Sequence, residues 1–181
     1  MDLARLRIIH YPDPRLRKPS APIETIDRGT VELAGRMFEL MYEARGLGLA
    51  AVQVGLNLRL FVANHTGRPD GERVYINPEI IEMIGSVQYD EGCLSIPELV
   101  VPLKRASWCK IRALGLDGEP FEDEARELQA RAWQHEMDHL NGVLILDRMS
   151  PTAEIANRRL LRGLEDDYKK ARPVSRRVRA K

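Results

Sequence analysis

The sequence His-Glu-Met-Asp-His at residues 135–139 places two histidines and a glutamate at a spacing that suits a hydrolytic metal site. Residues four apart lie on the same face of an α-helix, so the neutral rings of His135 and His139 could bind one divalent metal ion. Glu136, beside the first histidine, could then transfer protons. Because a catalytic metal normally has three protein ligands, the pattern predicts a further ligand elsewhere in the chain.

Several residues could supply that third ligand. One class of metalloproteases has another histidine further along the motif, but Ile145 occupies the corresponding position here. Glu154 or Glu165 could act as the later glutamate of a thermolysin-like protease, and the residues alone leave this alternative open. Cys93 follows a glycine and would offer a strong, soft thiolate ligand. We interpret Cys93 as the ligand and Cys109, in an alternating apolar stretch, as structural.

Three segments together resemble the signature motifs of peptide deformylases, in that family's order. They are GLGLAAVQVG at residues 46–55, EGCLSIP at 91–97 and QHEMDHLNG at 134–142. The similarity extends from the proline-rich residues 11–17 to about residue 150, which is most of the chain. It implies a metal-dependent enzyme that removes the formyl group from an N-formylmethionyl peptide or nascent chain and releases formate. An HExxH-type metallopeptidase is the alternative.

The resemblance implies a role for each residue of the metal centre. Cys93, His135 and His139 would bind one divalent metal ion, with water in the fourth position. Iron(II) is the metal that the family implies, although Zn, Ni or Co would suit the same ligands. Glu136 would accept a proton from the water and deliver it to the departing amine.

The resemblance also implies how the substrate is held. The Gln53 side-chain amide and the Leu94 backbone N–H would stabilise the oxyanion of the tetrahedral intermediate. Leu47, Gly48 and Gly92 would bind the extended peptide through the backbone, and glycine permits the close approach that this requires. Candidate walls of the methionine pocket are Leu47, Leu128 and Ala132. Ordinary core packing would explain Leu128 and Ala132 equally well.

Charged residues around the motifs have two interpretations. Glu91 and Asp138 could orient the metal ligands or pair with an arginine such as Arg105, or they could be solvated surface charges. Two positions depart from the family pattern. Val100 stands where some relatives have a peptide-binding arginine, and Trp133 stands where a smaller aliphatic residue is common. Neither departure affects the residues assigned to the chemistry.

The elements predicted to position these residues are a helix, then four strands, then two further helices. We predict an α+β fold in which mostly antiparallel sheets pack around a central metal-binding helix, with a C-terminal helix after it. Residues 46–55 are predicted to be a loop of small residues. The predicted strands are residues 58–63, 74–76, 80–89 and 108–114, and the predicted helices run from a Thr30 cap to Ala44, from Asp123 to Leu140 and from Ser150-Pro151 to Tyr168.

Composition sets further limits. A length of 181 residues with 44% hydrophobic residues suits one domain, and a net charge of +1 selects neither nucleic acid nor membrane. Two cysteines do not indicate a secreted disulfide scaffold. The first ten residues do not resemble a signal peptide, and no run is long enough to span a membrane. We therefore expect a cytoplasmic protein or a processed organellar form.

The end of the chain is basic and contains no acid from Lys169 onward. We predict a single catalytic domain over residues 1–168 and a basic, flexible tail over residues 169–181. The tail has two interpretations, a solvated segment or a transient contact with ribosomal RNA near the nascent-chain exit.

Overall fold

The computed structural model describes residues 2–171, and this part of the chain has the predicted α+β fold. In chain order, its helices and strands are α1 (Arg28–Glu43), β1 (Gly48–Ala50), β2 (Leu60–Ala63), β3 (Arg73–Ile84), β4 (Val87–Cys93), β5 (Ile96–Arg105), β6 (Trp108–Leu114), β7 (Pro120–Arg126), α2 (Glu127–Leu140) and α3 (Pro151–Ala171). Five strands form an antiparallel sheet in the order β1-β2-β3-β6-β7, and β4 and β5 form a separate antiparallel pair. Within residues 2–171, no helix is both long and apolar enough to cross a membrane.

Helix α2 packs on one face of the five-stranded sheet through an aromatic cluster. The Tyr75 ring stacks on Phe61 with centroids 4.5 Å apart and meets the Trp133 ring edge-on at 5.3 Å. Trp133 and Tyr75 are fully buried, and Met137 and Leu140 extend the contact along the helix. Burial of these large apolar side chains fixes the rotation of α2, and therefore the direction in which its histidines point.

Helix α1 covers the opposite face of the same sheet. Successive side chains of a strand point to opposite faces, so Leu60 and Val62 of β2 pack against α1 whereas Phe61 packs against α2. On the helix, Met37 and Met41 lie one turn apart and are fully buried. The five-stranded sheet is therefore buried on both faces, with α2 on the side that carries the predicted metal ligands.

The β4–β5 pair builds a third cluster with the C-terminal helix. Leu99, Val101 and Leu103 alternate along β5 and are buried. Leu160 and Leu164 of α3 are partly buried against this cluster, and no side chain of α3 is fully buried. The helix thus lies on the surface and stabilises the strand pair from outside.

The proline-rich N-terminal arm is joined to the rest of the fold by backbone hydrogen bonds and by a buried side chain. The Ile9 N–H donates to the Gln53 carbonyl at 2.8 Å, and the Tyr11 N–H donates to the Ser95 carbonyl at the same distance. Leu16 is fully buried. The arm therefore ties together two of the segments that carry predicted site residues.

The predicted start of the metal-bearing helix at Asp123 is wrong. The helix begins at Glu127, and the residues before it form β7, in which Ala125 is paired with Cys109 of β6. The turn at Asp117-Gly118 closes this hairpin, and its strand pairing outweighs the helical propensity of the Glu and Ala residues. Glu127 has a φ of 48°, which marks the sharp change of direction from strand to helix.

Other predicted boundaries also change. The predicted loop at residues 46–55 contains strand β1 and a short 3-10 helix. The predicted strand at 80–89 is broken at Gly85, whose φ of 73° turns the chain from β3 into β4. Cys93 is consequently the last residue of a strand, and strand β5 follows it without having been predicted. The strand predicted at residues 108–114 is confirmed as β6.

Helix α1 begins earlier than predicted. Its cap is Asp27 and not Thr30, because the Asp27 carboxylate accepts from the Thr30 N–H at 2.9 Å while the Thr30 hydroxyl accepts from the Asp27 N–H. This reciprocal pair satisfies two backbone donors that a helix start leaves without partners. The difference extends the helix without altering its apolar face.

Helix α3 begins at Pro151, as predicted, but continues to Ala171, past the predicted boundary at Tyr168. Lys169 lies 3.3 Å from Asp166 three residues earlier, a spacing that supports helical structure. The first residues assigned to the tail are therefore helical. The remainder of the predicted tail, residues 172–181, lies outside the described residues.

Trp133→Ala tests whether the aromatic cluster positions α2. Loss of this fully buried ring leaves a cavity against Tyr75, and we expect the free energy of unfolding to fall by about 3–5 kcal/mol in urea titrations. Leu128→Ala, on the same helix but 45% exposed, is the control and should cost less than about 1 kcal/mol. Equal losses in the two variants would contradict this account of the core.

Candidate metal centre and active site

The three predicted metal ligands converge although they come from two distant segments. Cys93 ends β4, whereas His135 and His139 lie one turn apart on α2. The His139 Nε2 atom is 3.2 Å from Cys93 Sγ and 3.2 Å from His135 Nε2, and all three ligand atoms lie within 4.8 Å of one another. Among the His, Cys, Asp and Glu side chains of residues 2–171, these three lie close enough together to hold a metal ion.

These three residues fit a bound divalent metal. With metal–nitrogen distances of about 2.0–2.1 Å and a metal–sulfur distance of about 2.3 Å, the ligand atoms of a tetrahedral site are roughly 3.3–3.7 Å apart, close to the shorter separations observed here. Burial lowers the pKa of His139, which keeps its ring neutral and able to act as a ligand. One thiolate and two imidazoles also leave a coordination position for a non-protein group.

Glu136 places a carboxylate beside this cluster. It is buried, and its Oε2 atom has no hydrogen-bond partner among the described residues. Burial raises the pKa of Glu136 to about 7, because the charged form loses its hydration. A Cβ atom at Gly48 would lie 2.6 Å from Glu136 Oε1, so the carboxylate needs a glycine at that position of β1.

Gln53 is held with its amide directed at the metal ligands. Its Oε1 accepts from the Ala50 N–H at 2.8 Å, which orients its Nε2 toward Ser95 Oγ at 3.2 Å and Cys93 Sγ at 3.8 Å. Leu94, the other predicted oxyanion residue, follows Cys93 directly and lines the same cleft. Ser95 is fully buried and was not predicted to belong to the site. The sequence feature that could have indicated Ser95 is its position within the EGCLSIP motif.

A cleft of about 600 Å³ opens beside these residues. Glu136, His135, Cys93 and Gln53 lie along it, so the predicted chemistry is accessible to a ligand. Val100 lies at its rim and is 59% exposed. The cleft also brings together the predicted peptide-binding and pocket residues, which are Leu47, Gly48, Gly92, Leu128 and Ala132.

The other candidate ligands lie elsewhere. Glu165 accepts a hydrogen bond from the Tyr11 hydroxyl at 2.6 Å, and Glu154 is exposed in the first turn of α3. Cys109 is fully buried in the sheet core, and burial raises its pKa to about 12, so its thiol stays protonated. Neither glutamate joins the metal cluster, which removes the thermolysin-like arrangement.

Comparisons with known proteins agree on one family. The family model described as "Polypeptide deformylase" matches residues 5–154. The chain belongs to the polypeptide deformylase family. A peptide deformylase from Chromobacterium violaceum is 47% identical over 148 residues, covering 82% of this chain and 89% of the relative. One from Tolumonas auensis is 48% identical over 149 residues, with the same coverage.

Solved structures of peptide deformylases have the same fold. A plant peptide deformylase superposes with a TM-score of 0.88 at 41% identity, covering 92% of each chain. A Legionella pneumophila peptide deformylase gives a TM-score of 0.84 at 40% identity, covering 93% of this chain and 99% of that one. The chain is therefore an enzyme of this family, and the alternative of an HExxH-type metallopeptidase is not favoured.

In this deformylase, His135 is oriented by a buried ion network. Its Nδ1 lies 2.6 Å from Glu91 Oε1, so its Nε2 faces the other ligand atoms. Arg105 donates to both Glu91 oxygens at 3.0 and 2.6 Å and to Asp138 Oδ2 at 2.6 Å. Asp138 also pairs with Arg148. The alternative that Glu91 and Asp138 are solvated surface charges is therefore wrong.

The electrostatics of this network are consistent with its geometry. Arg105 is 5% exposed and Glu91 8%, so neither charge is screened by bulk water. Burial alone would raise the pKa of Glu91, but hydrogen bonds from His135 and Arg105 lower it to about 2. Glu91 is therefore charged at neutral pH, and its contact with Nδ1 fixes the orientation of the His135 ring.

Arg105→Met tests the network. The substitution leaves two buried carboxylates without the guanidinium, so we expect urea titrations to show a loss of about 3–5 kcal/mol in the free energy of unfolding. Metal affinity should fall by about 10–100-fold because His135 loses its support. In the matched control Arg112→Met, the pair with Glu122 is at the surface, and the cost should stay below about 1 kcal/mol. Similar costs in both variants would count against the network.

Proposed function

We propose that this deformylase hydrolyses the formyl amide of N-formylmethionine at the start of newly made polypeptides. The products are formate and a free amino terminus. The observation that carries this proposal is the convergence of Cys93, His135 and His139 at one cleft, beside a buried Glu136 carboxylate whose Oε2 atom has no hydrogen-bond partner among the described residues. Family membership supports the reaction, and the site offers the residues it needs.

We assign the metal-binding role to Cys93, His135 and His139. A divalent metal bound there supplies Lewis acidity and activates water as a nucleophile near neutral pH. The mixed thiolate and imidazole ligands suit iron(II), zinc, nickel or cobalt, and we propose iron(II). The Glu91–Arg105 pair keeps His135 in the orientation that such a site requires.

Glu136 moves the proton. Water adds to the formyl carbon, and the Glu136 carboxylate accepts the proton that this water releases. It then delivers the proton to the amine nitrogen as the carbon–nitrogen bond breaks, so the acid and base roles alternate within one turnover. Its burial beside His135 and its unpaired Oε2 atom support this assignment.

Gln53 and Leu94 stabilise the oxyanion that forms on the formyl oxygen. The Ala50 N–H already holds the Gln53 side chain, so its amide group needs no reorganisation during the reaction. The Leu94 backbone N–H would donate to the same oxygen. Both residues lie along the cleft beside Cys93.

The peptide binds as an added strand. β1 is an edge of the five-stranded sheet, and its residue Gly48 lines the cleft, as does Gly92 of β4. Unpaired backbone groups at a strand edge bind an extended peptide independently of its sequence. We therefore assign peptide binding to Leu47, Gly48 and Gly92, and the methionine pocket to Leu47, Leu128 and Ala132.

Glu136→Ala tests the mechanism. Without the carboxylate, formate release from a formyl-Met-Ala-Ser peptide should fall by about 10²–10⁴-fold, while the bound metal is retained. The matched control is Asp90→Asn, which removes an exposed carboxylate from the same cleft and should remain active. Robust deformylation by a metal-loaded Glu136→Ala protein would overturn the assignment.

Anaerobic purification tests the metal. We expect elemental analysis to find about one iron per chain, with formate release proportional to iron content. Exposure to air should lower both, because iron(II) and its thiolate ligand are sensitive to oxidation. Full activity in protein that contains zinc alone after anaerobic purification would contradict the choice of iron.

We place the enzyme in the cytoplasm, where it would meet nascent chains. Cys93 and Cys109 are both free, as expected in a reducing compartment. The basic residues from Arg172 onward are proposed to contact the ribosome transiently. Removal of residues 172–181 should then weaken cosedimentation with ribosomes at low salt without changing peptide deformylation. Unchanged cosedimentation would contradict the proposed ribosome contact.

A further inference from the structure

Arg131 places a cation in the wall of the catalytic cleft. Its guanidinium carbon lies 4.6 Å from the centroid of the Tyr89 ring, which is a cation–π contact. Within residues 2–171, the Arg131 side chain makes neither an ion pair nor a hydrogen bond, although it lines the cleft. The donors of this guanidinium are therefore available to a ligand.

This contact repeats the packing that supports the metal centre. Tyr89 and Glu91 lie two residues apart on β4 and so share a face, and Arg131 and His135 lie four apart on α2. Glu91 bonds to His135, and Tyr89 packs against Arg131. Strand β4 and helix α2 each advance by about 6 Å between the Glu91–His135 contact and the Tyr89–Arg131 contact. The Arg131–Tyr89 pair is therefore positioned by the same rigid surfaces as the ligands.

In the proposed binding mode, the first side chain of a substrate extends toward Arg131. If the formyl group is at Gln53 and the metal ligands, the side chain beside it enters between Leu128 and Ala132, which flank Arg131 in sequence. The distance of about 6 Å along the helix from His135 to Arg131 is close to the length of a methionine side chain. Its terminal atoms would meet the Arg131 guanidinium, which the Tyr89 ring holds from outside the cleft.

We infer that Arg131, held in place by Tyr89, closes the methionine pocket and allows the enzyme to accept a formylated peptide whose first side chain ends in a hydrogen-bond acceptor, methionine sulfoxide above all. An entirely apolar pocket rejects such a group because its oxygen loses its hydration. A guanidinium N–H supplies a partner for that oxygen, while Leu128 and Ala132 still pack against the sulfur and methyl group.

The inference rests on the proposed deformylation and adds no new chemistry to it. The same formyl carbon–nitrogen bond is hydrolysed, with the hydroxyl of water going to formate and its proton to the amine. The sulfoxide is unchanged, so no oxidant or reductant is consumed. Only the range of first residues differs.

The test compares kcat/KM for formyl-Met-Ala-Ser and its methionine sulfoxide analogue in the metal-loaded enzyme. The two peptides have nearly the same shape, so a change in pocket size affects both and cancels in their ratio. In the wild type, the sulfoxide peptide should react within about tenfold of the methionine peptide. Arg131→Leu should lower the sulfoxide-to-methionine ratio by at least about tenfold, as expected for loss of a charged hydrogen bond.

Tyr89→Leu should lower the same ratio by about two- to fivefold, because it removes only the ring that holds the guanidinium. Arg112→Leu, at a surface pair outside the cleft, should leave the ratio unchanged. An unchanged ratio in Arg131→Leu would overturn the inference while formyl-Met hydrolysis still supported the proposed function. Absence of formate from both peptides in the wild type would overturn both.

Discussion

The Arg105 guanidinium lies out of water between β4 and α2, and the geometry of the proposed metal centre depends on that position. Through Glu91 it fixes the His135 ring, and through Asp138 it reaches the same helix one residue before His139. Charges removed from water are stable only when they are paired and hydrogen-bonded. Any shift of α2 relative to β4 would break these bonds, so the network resists displacement of the proposed ligands on either element.

The two layers of the fold make this arrangement possible. The five-stranded sheet holds α2 through Trp133 and Tyr75, whereas the β4–β5 pair carries Cys93 and Arg105 to the other side of the helix. The catalytic cleft lies where these layers meet, bordered by the edge strand β1. One face of α2 therefore packs in the core, and another carries His135 toward the cleft. A single orientation of the helix about its axis places both faces correctly.

Much of the site could be predicted from the sequence because its residues lie in short local patterns. The spacing of His135 and His139 requires only a helix, and Cys93 stands in a motif that resembles a known family. The start of α2 could not be placed because residues 120–126 have helical propensity locally and become a strand only by pairing with β6. The Arg131–Tyr89 contact depends on how β4 meets α2, which no local pattern reveals.

The central claim is that Cys93, His135 and His139 bind a single metal ion. X-ray absorption at the metal edge of the anaerobically purified enzyme tests this most directly, because it resolves sulfur from nitrogen and oxygen neighbours. We expect one sulfur at about 2.3 Å and two imidazole nitrogens at about 2.0–2.1 Å, with the sulfur signal absent in Cys93→Asp. A wild-type spectrum with no sulfur neighbour, or with two, would contradict the account.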